Sequence, residues 1–88
     1  MTAHNLAFDQ TELHARVGET VALRLEDGDP STPHTFTIDE LGVDVPINPG
    51  QDSLALFRPT QPRTYTFYCA PHYDRATGQG MHGTLVVD

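Results

Sequence analysis

The residues of this chain best suited to chemistry lie close together near its C-terminal end. The sole cysteine, Cys69, is followed by His72 three residues on and by Met81 nine beyond that. A thiolate, an imidazole and a thioether delivered from one loop form a soft donor set. With a second imidazole from elsewhere, such a set suits copper in a Cys/His/His plane with a weak axial Met, and a site of that kind moves electrons. It needs rigid ligands more than high affinity, because little should rearrange when the electron passes. His34 is the best candidate for the second imidazole. For the axial position Met81 competes with Gln79, which would offer an amide oxygen instead. A carboxylate from Asp39 or Glu40 beside an open position would make a red-copper, catalytic type of site, against which a filled Met81 position argues.

Two strands must place these ligands. Residues 64–69 alternate, with Tyr65, Phe67 and Cys69 on one face and Thr64, Thr66 and Tyr68 on the other, so Cys69 is expected as the last inward residue of a core strand. The turn-forming run DGDPSTP over residues 27–33 ends in a proline, and a new strand starts directly after it. There His34, Phe36 and Ile38 share a face, which turns the histidine inward. Further strands are expected at 5–8, at 12–17 with Leu13, Ala15 and Val17 inward, and at 20–26 with Val21, Leu23 and Leu25 inward. Others are expected at 43–45 inside a long connection, at 53–58 with Leu54, Leu56 and Phe57 inward, and at 83–87. Tyr68 and Tyr73 read as rim aromatics, and His4, His14 and His82 as surface histidines. Seven or eight short strands with turn signals between them predict an all-β sandwich, with residues 1–88 as one domain.

Composition narrows the function classes. Twelve acidic residues against five basic ones, every one of the latter arginine, give a net charge of -7. Phosphate binding needs a basic stripe, so a nucleic-acid partner is not expected. The acidity serves solubility, or steering toward a redox partner with a basic patch. A single cysteine excludes an internal disulfide and any metal site needing two thiolates from one chain. No apolar run is long enough for a signal peptide or a membrane span, and the chain is expected to be a monomer.

At this point the sequence resembles the blue copper proteins, or cupredoxins. The matching residues are PHTFTI with His34, the turn Pro49-Gly50-Gln51, YTFYCAPH with Cys69 and His72, and GMHGTLVV with Met81. The resemblance implies a Greek-key sandwich of about eight strands and one mononuclear copper per chain at one end, held by His34, Cys69, His72 and Met81. It further implies one-electron transfer with no substrate turned over, and a periplasmic or extracytoplasmic setting. Two departures stand out. Family members often carry Asn after the first histidine ligand, tying the two ligand loops together, where this chain has Thr35; a hydroxyl has one donor, which predicts a weaker tie. The interval YDRATGQG between His72 and Met81 is also longer than in the familiar plastocyanin-type and amicyanin-type loops. Two rival classes are a catalytic copper domain, which would need histidines for a second centre, and a copper carrier or binding domain excised from a larger protein. The spare histidines do not cluster in the sequence, and the chain is poor in methionine.

Overall fold

The computed structural model describes residues 1–4, 7–74 and 76–88. Among them run nine strands: β1 (Thr2–His4), β2 (Ala7–Phe8), β3 (Glu12–Ala15), β4 (Val21–Asp27), β5 (His34–Ile38), β6 (Val43–Ile47), β7 (Asp52–Phe57), β8 (Thr64–Asp74) and β9 (Gln79–Val87). A single 3-10 turn, Asp39–Leu41, joins β5 to β6. The strands form two sheets, in the orders β2-β1-β4-β7 and β3-β9-β8-β5-β6. The chain passes between the sheets repeatedly, which is the Greek-key habit of a sandwich. There are more strands than expected because the N-terminal segment contributes a short antiparallel pair, β1 with β2. Of the first strand expected at 5–8, residues 5 and 6 lie outside the described residues, and Ala7–Phe8 is β2.

Between the sheets the four phenylalanines meet: Phe36 packs against Phe8, Phe57 and Phe67, and Phe8 against Phe67, with ring centroids 5.2–6.3 Å apart in these pairs. Leu25, Ile38, Ile47, Met81, Leu85 and Val87 complete the core around them. Gly83 is required there, since a Cβ on it would come within 2.3 Å of the Phe67 ring.

Register corrects one inward face. Val21, Leu23 and Leu25 of β4 point inward as expected, and they stand opposite Phe57, Ala55 and Ser53 of β7. Paired residues share a face, so Ala55 and Phe57 are buried while Leu54 and Leu56 are 55% and 62% exposed. Both faces of that strand are apolar in sequence, and only the neighbour's phase chooses between them. Val17, expected inward, lies beyond the end of β3 and is exposed. Tyr68, read as a rim residue, is buried: its ring lies 5.0 Å from that of Tyr73 and its hydroxyl donates to Asp39 Oδ1 at 2.7 Å. Pro46 falls within β6, where it is tolerated because β6 is an edge strand.

Candidate metal centre

The candidate site is built on a break in the β8–β9 ladder. Tyr68 pairs with His82, and the next pair is Tyr73 with Gly80. Between those two rungs β8 holds Cys69, Ala70, Pro71 and His72, while β9 holds Met81 alone. The extra residues of β8 must bulge, and they do so directly opposite Met81. The expected long interval after His72 is therefore no slack loop. Tyr73↔Gly80 and Asp74↔Gln79 continue the ladder, the Gly78 N–H donates to the Asp74 carbonyl at 2.8 Å, and the Tyr73 ring lies 5.2 Å from that of His82. Gln79 sits exposed in this hairpin, whereas Met81 is buried in the same core cluster as Cys69.

Across the sheet, β5 pairs with β8 and brings His34 to the same place. His34 is 1% exposed and its Nδ1 lies 3.7 Å from Cys69 Sγ. One donor atom each from His34, Cys69 and His72 lie within 4.8 Å of one another. The two imidazole rings are 5.2 Å apart. His72 is half-buried, and its Nε2 is enclosed without a hydrogen-bond partner among the described residues. A buried nitrogen of this kind ordinarily finds a partner. A soft cation fits the place: one sulfur and two imidazoles offer converging donors, with the thioether of Met81 on the facing strand.

Backbone groups hold the sulfur. Cys69 Sγ accepts the Thr35 N–H at 3.3 Å, and the His72 N–H also points to it. Burial pushes the Cys69 thiol up, more than these N–H groups pull it down; nearby Asp27 adds to the rise. The tie expected to be weak at Thr35 is made differently. The Thr35 hydroxyl accepts the Ala70 N–H at 2.8 Å instead of donating across the loops. Its own proton is directed 3.0 Å to Thr37 Oγ1, because the Thr37 hydroxyl donates to Asp44 Oδ1 at 3.1 Å. One ordered chain of donors thus joins the Cys69 loop to β5 and β6.

A family model described as "Cupredoxin-like domain" matches residues 1–87. The chain belongs to the cupredoxin-like family. Comparison with curated proteins returns no match. Among solved structures, this cupredoxin is similar to auracyanin A, a "blue" copper protein from Chloroflexus aurantiacus, at 19% identity with a TM-score of 0.79, covering 100% of this chain and 98% of that one. It is likewise similar to auracyanin from Roseiflexus castenholzii, at 19% identity and a TM-score of 0.81, with 99% and 93% covered. A chain of a heme-copper terminal oxidase dimer matches at 22% identity and a TM-score of 0.79; 99% of this chain is covered but only 60% of that one. At these identities the likeness is one of fold.

Two residues of this cupredoxin's site were not singled out from sequence. Asp29 and Asp27, read only as turn formers, lie behind His34, with Asp29 Oδ2 2.7 Å and Asp27 Oδ1 3.8 Å from its Nε2. The available signal was two acids in a turn immediately before an inward histidine. The expected surface histidines His4, His14 and His82 are exposed. Asp39 is engaged by Tyr68, and Asp39 and Glu40 lie in the exposed 3-10 turn, outside the His34–Cys69–His72 group.

Proposed function

We propose that this chain carries single electrons between redox partners through one copper held by His34, Cys69 and His72, with Met81 as the weak axial donor. The observation that carries the reading is the convergence of one buried thiol and two imidazoles within 4.8 Å, built on a bulge that faces Met81. Bound there, copper would supply a one-electron couple whose two states tolerate the same donor set.

The chain's own residues do the rest. Cys69 gives up its proton to become a ligand, so uptake is coupled to proton release. The hydrogen bonds from Thr35 and His72 fix the sulfur, and the Ala70–Thr35–Thr37–Asp44 chain fixes the loop. Ala70, Pro71 and Gly80 are exposed around the half-buried His72, giving a small-residue surface through which the electron enters and leaves. A net charge of -7 suits a partner with a basic patch. The reading treats the chain as one copper domain that turns over no substrate and works outside the cytoplasm, as the family resemblance implies.

Titration with Cu(II) tests this directly. A stoichiometric complex with an intense visible thiolate charge-transfer band is expected, and Cys69→Ser should fold, yet give no band. A pale wild-type complex, or colour that survives in Cys69→Ser, refutes the assignment.

A further inference from the structure

We infer that Asp29 is a positioning residue for the metal centre: its carboxylate holds the His34 proton on Nε2, presents Nδ1 to the ion, and sets a fixed negative charge behind that ligand. The inference rests on the copper reading above, but its first test does not need copper.

The geometry is one-sided. His34 Nε2 lies 2.7 Å from Asp29 Oδ2, the length of a strong charge-assisted hydrogen bond. A carboxylate can only accept, so the proton of a neutral imidazole belongs on Nε2, and the lone pair is left on Nδ1, 3.7 Å from Cys69 Sγ. Ligand histidines are commonly oriented by such a partner on the other ring nitrogen. The same 2.7 Å leaves no room for a second ion between Asp29 and His34, although Asp27, Asp29 and His34 bring their donor atoms within 4.8 Å of one another.

Asp29 is itself held in place. Asp27, whose side chain is wholly buried, accepts the Asp29 N–H on Oδ1 at 2.8 Å, bending the turn so that Asp29 faces the ring. The Gly28 N–H donates to the Ala3 carbonyl at 2.8 Å, which docks the turn on β1. On its far side, Asp29 Oδ1 lies 3.8 Å from Nε2 of the exposed His4. The side chain of Asp29 is 16% exposed, so water screens its charge less than that of a surface carboxylate. A fixed anion behind one ligand favours the more highly charged Cu(II) over Cu(I).

Nitrogen NMR of the copper-free wild type reads the tautomer without any substitution. Protonation at Nε2 of His34 is expected, and an Nδ1-protonated ring overturns the inference whether or not copper binds. In the copper-loaded protein, Asp29→Asn keeps an oxygen acceptor for Nε2–H and removes the charge. The ratio of Cu(II) to Cu(I) affinity should fall about tenfold, a rise of about 59 mV for a one-electron couple, with the visible band unmoved. Glu19→Gln, which removes one charge from an exposed turn, is the control. A shift in Asp29→Asn no larger than in Glu19→Gln overturns the charge role. Should the wild type give no thiolate band, the copper reading fails, and the tautomer measurement still decides whether Asp29 orients His34.

Discussion

Gly80 offers the sharpest test of how the backbone, rather than the ligands, sets the site. It sits on the rung beside Met81 with φ of 115°, a value that residues bearing a Cβ rarely adopt. A Cβ placed there would stand 2.2 Å from the His72 carbonyl oxygen and 3.0 Å from Tyr73 Cα. Relief requires the His72 backbone to retreat by roughly 0.8 Å, beyond the ~0.5 Å within which a binding constellation keeps its geometry. Gly80→Ala therefore carries two costs. Forcing φ accounts for about 1–3 kcal/mol of folding stability, and the push on His72 falls on the metal site. Gly78→Ala separates them, because Gly78 also has positive φ, at 71°, while a Cβ there meets only the Tyr73 hydroxyl at 3.9 Å. Denaturant unfolding of the copper-free proteins should show both variants destabilised. Cu(II) titration followed at the thiolate band should show weakened binding and an altered band in Gly80→Ala alone. If Gly80→Ala matches Gly78→Ala in affinity and spectrum, the close packing of Gly80 on His72 does not position the ligand.

Three further outcomes follow from the same geometry. Met81→Leu, a nearly volume-conserving core change costing under about 1.5 kcal/mol, should raise the reduction potential by removing a donor; Met81→Gln should lower it, and Gln79→Ala should leave voltammetry and colour unchanged, whereas a shift in Gln79→Ala with Met81→Leu silent would transfer the axial role. Because burial holds the Cys69 thiol above its ordinary range, the unfolded chain ionises first: the thiol's contribution is intact below about pH 8.5 and is lost as pH rises through the folded value, so the copper-free protein should lose denaturant stability toward alkaline pH with a slope that Cys69→Ala removes. Pro71→Glu, on the exposed surface beside His72, should slow electron self-exchange in NMR line-broadening while leaving the potential nearly unmoved, and unchanged exchange would place the port elsewhere.

Much of the arrangement around Cys69 is legible in the sequence. The alternation of residues 64–69 and of 34–38 put Cys69 and His34 inward because each segment has one clearly apolar face. Where both faces are apolar, as at Leu54-Ala55-Leu56-Phe57, period alone cannot choose, and the pairing of Leu23 with Ala55 makes the choice. The YDRATGQG segment misled for a related reason. Its glycines and polar residues look like a loop, but the pairs Tyr73↔Gly80 and Asp74↔Gln79 extend the ladder. Thr35 was judged by the donors it offers, while the fold uses it as an acceptor. For Asp29 the sequence offers only its place in an acidic turn before His34, and a turn sequence does not show which way a carboxylate faces.

Taken together, the contacts explain how a small sandwich can keep a metal centre rigid without a disulfide. The ligand bulge is clamped on both flanks: toward β5 and β6 by the Ala70–Thr35–Thr37–Asp44 chain, and toward the hairpin tip by Tyr73 pairing with Gly80. Neither clamp includes a ligand side chain, so the electron's arrival need not disturb them. The buried donors themselves are costly to the copper-free fold, since a buried polar group such as His72 Nε2, without a partner among the described residues, destabilises by about 1–3 kcal/mol. An ion that satisfies these donors in the folded chain alone also stabilises by mass action, by about 2.7 kcal/mol at a hundredfold excess over Kd. On the proposed copper reading, the rigidity that suits electron transfer and the stability gained on metal uptake thus have one source, a cluster of donors that the surrounding hydrogen bonds hold together before the metal arrives.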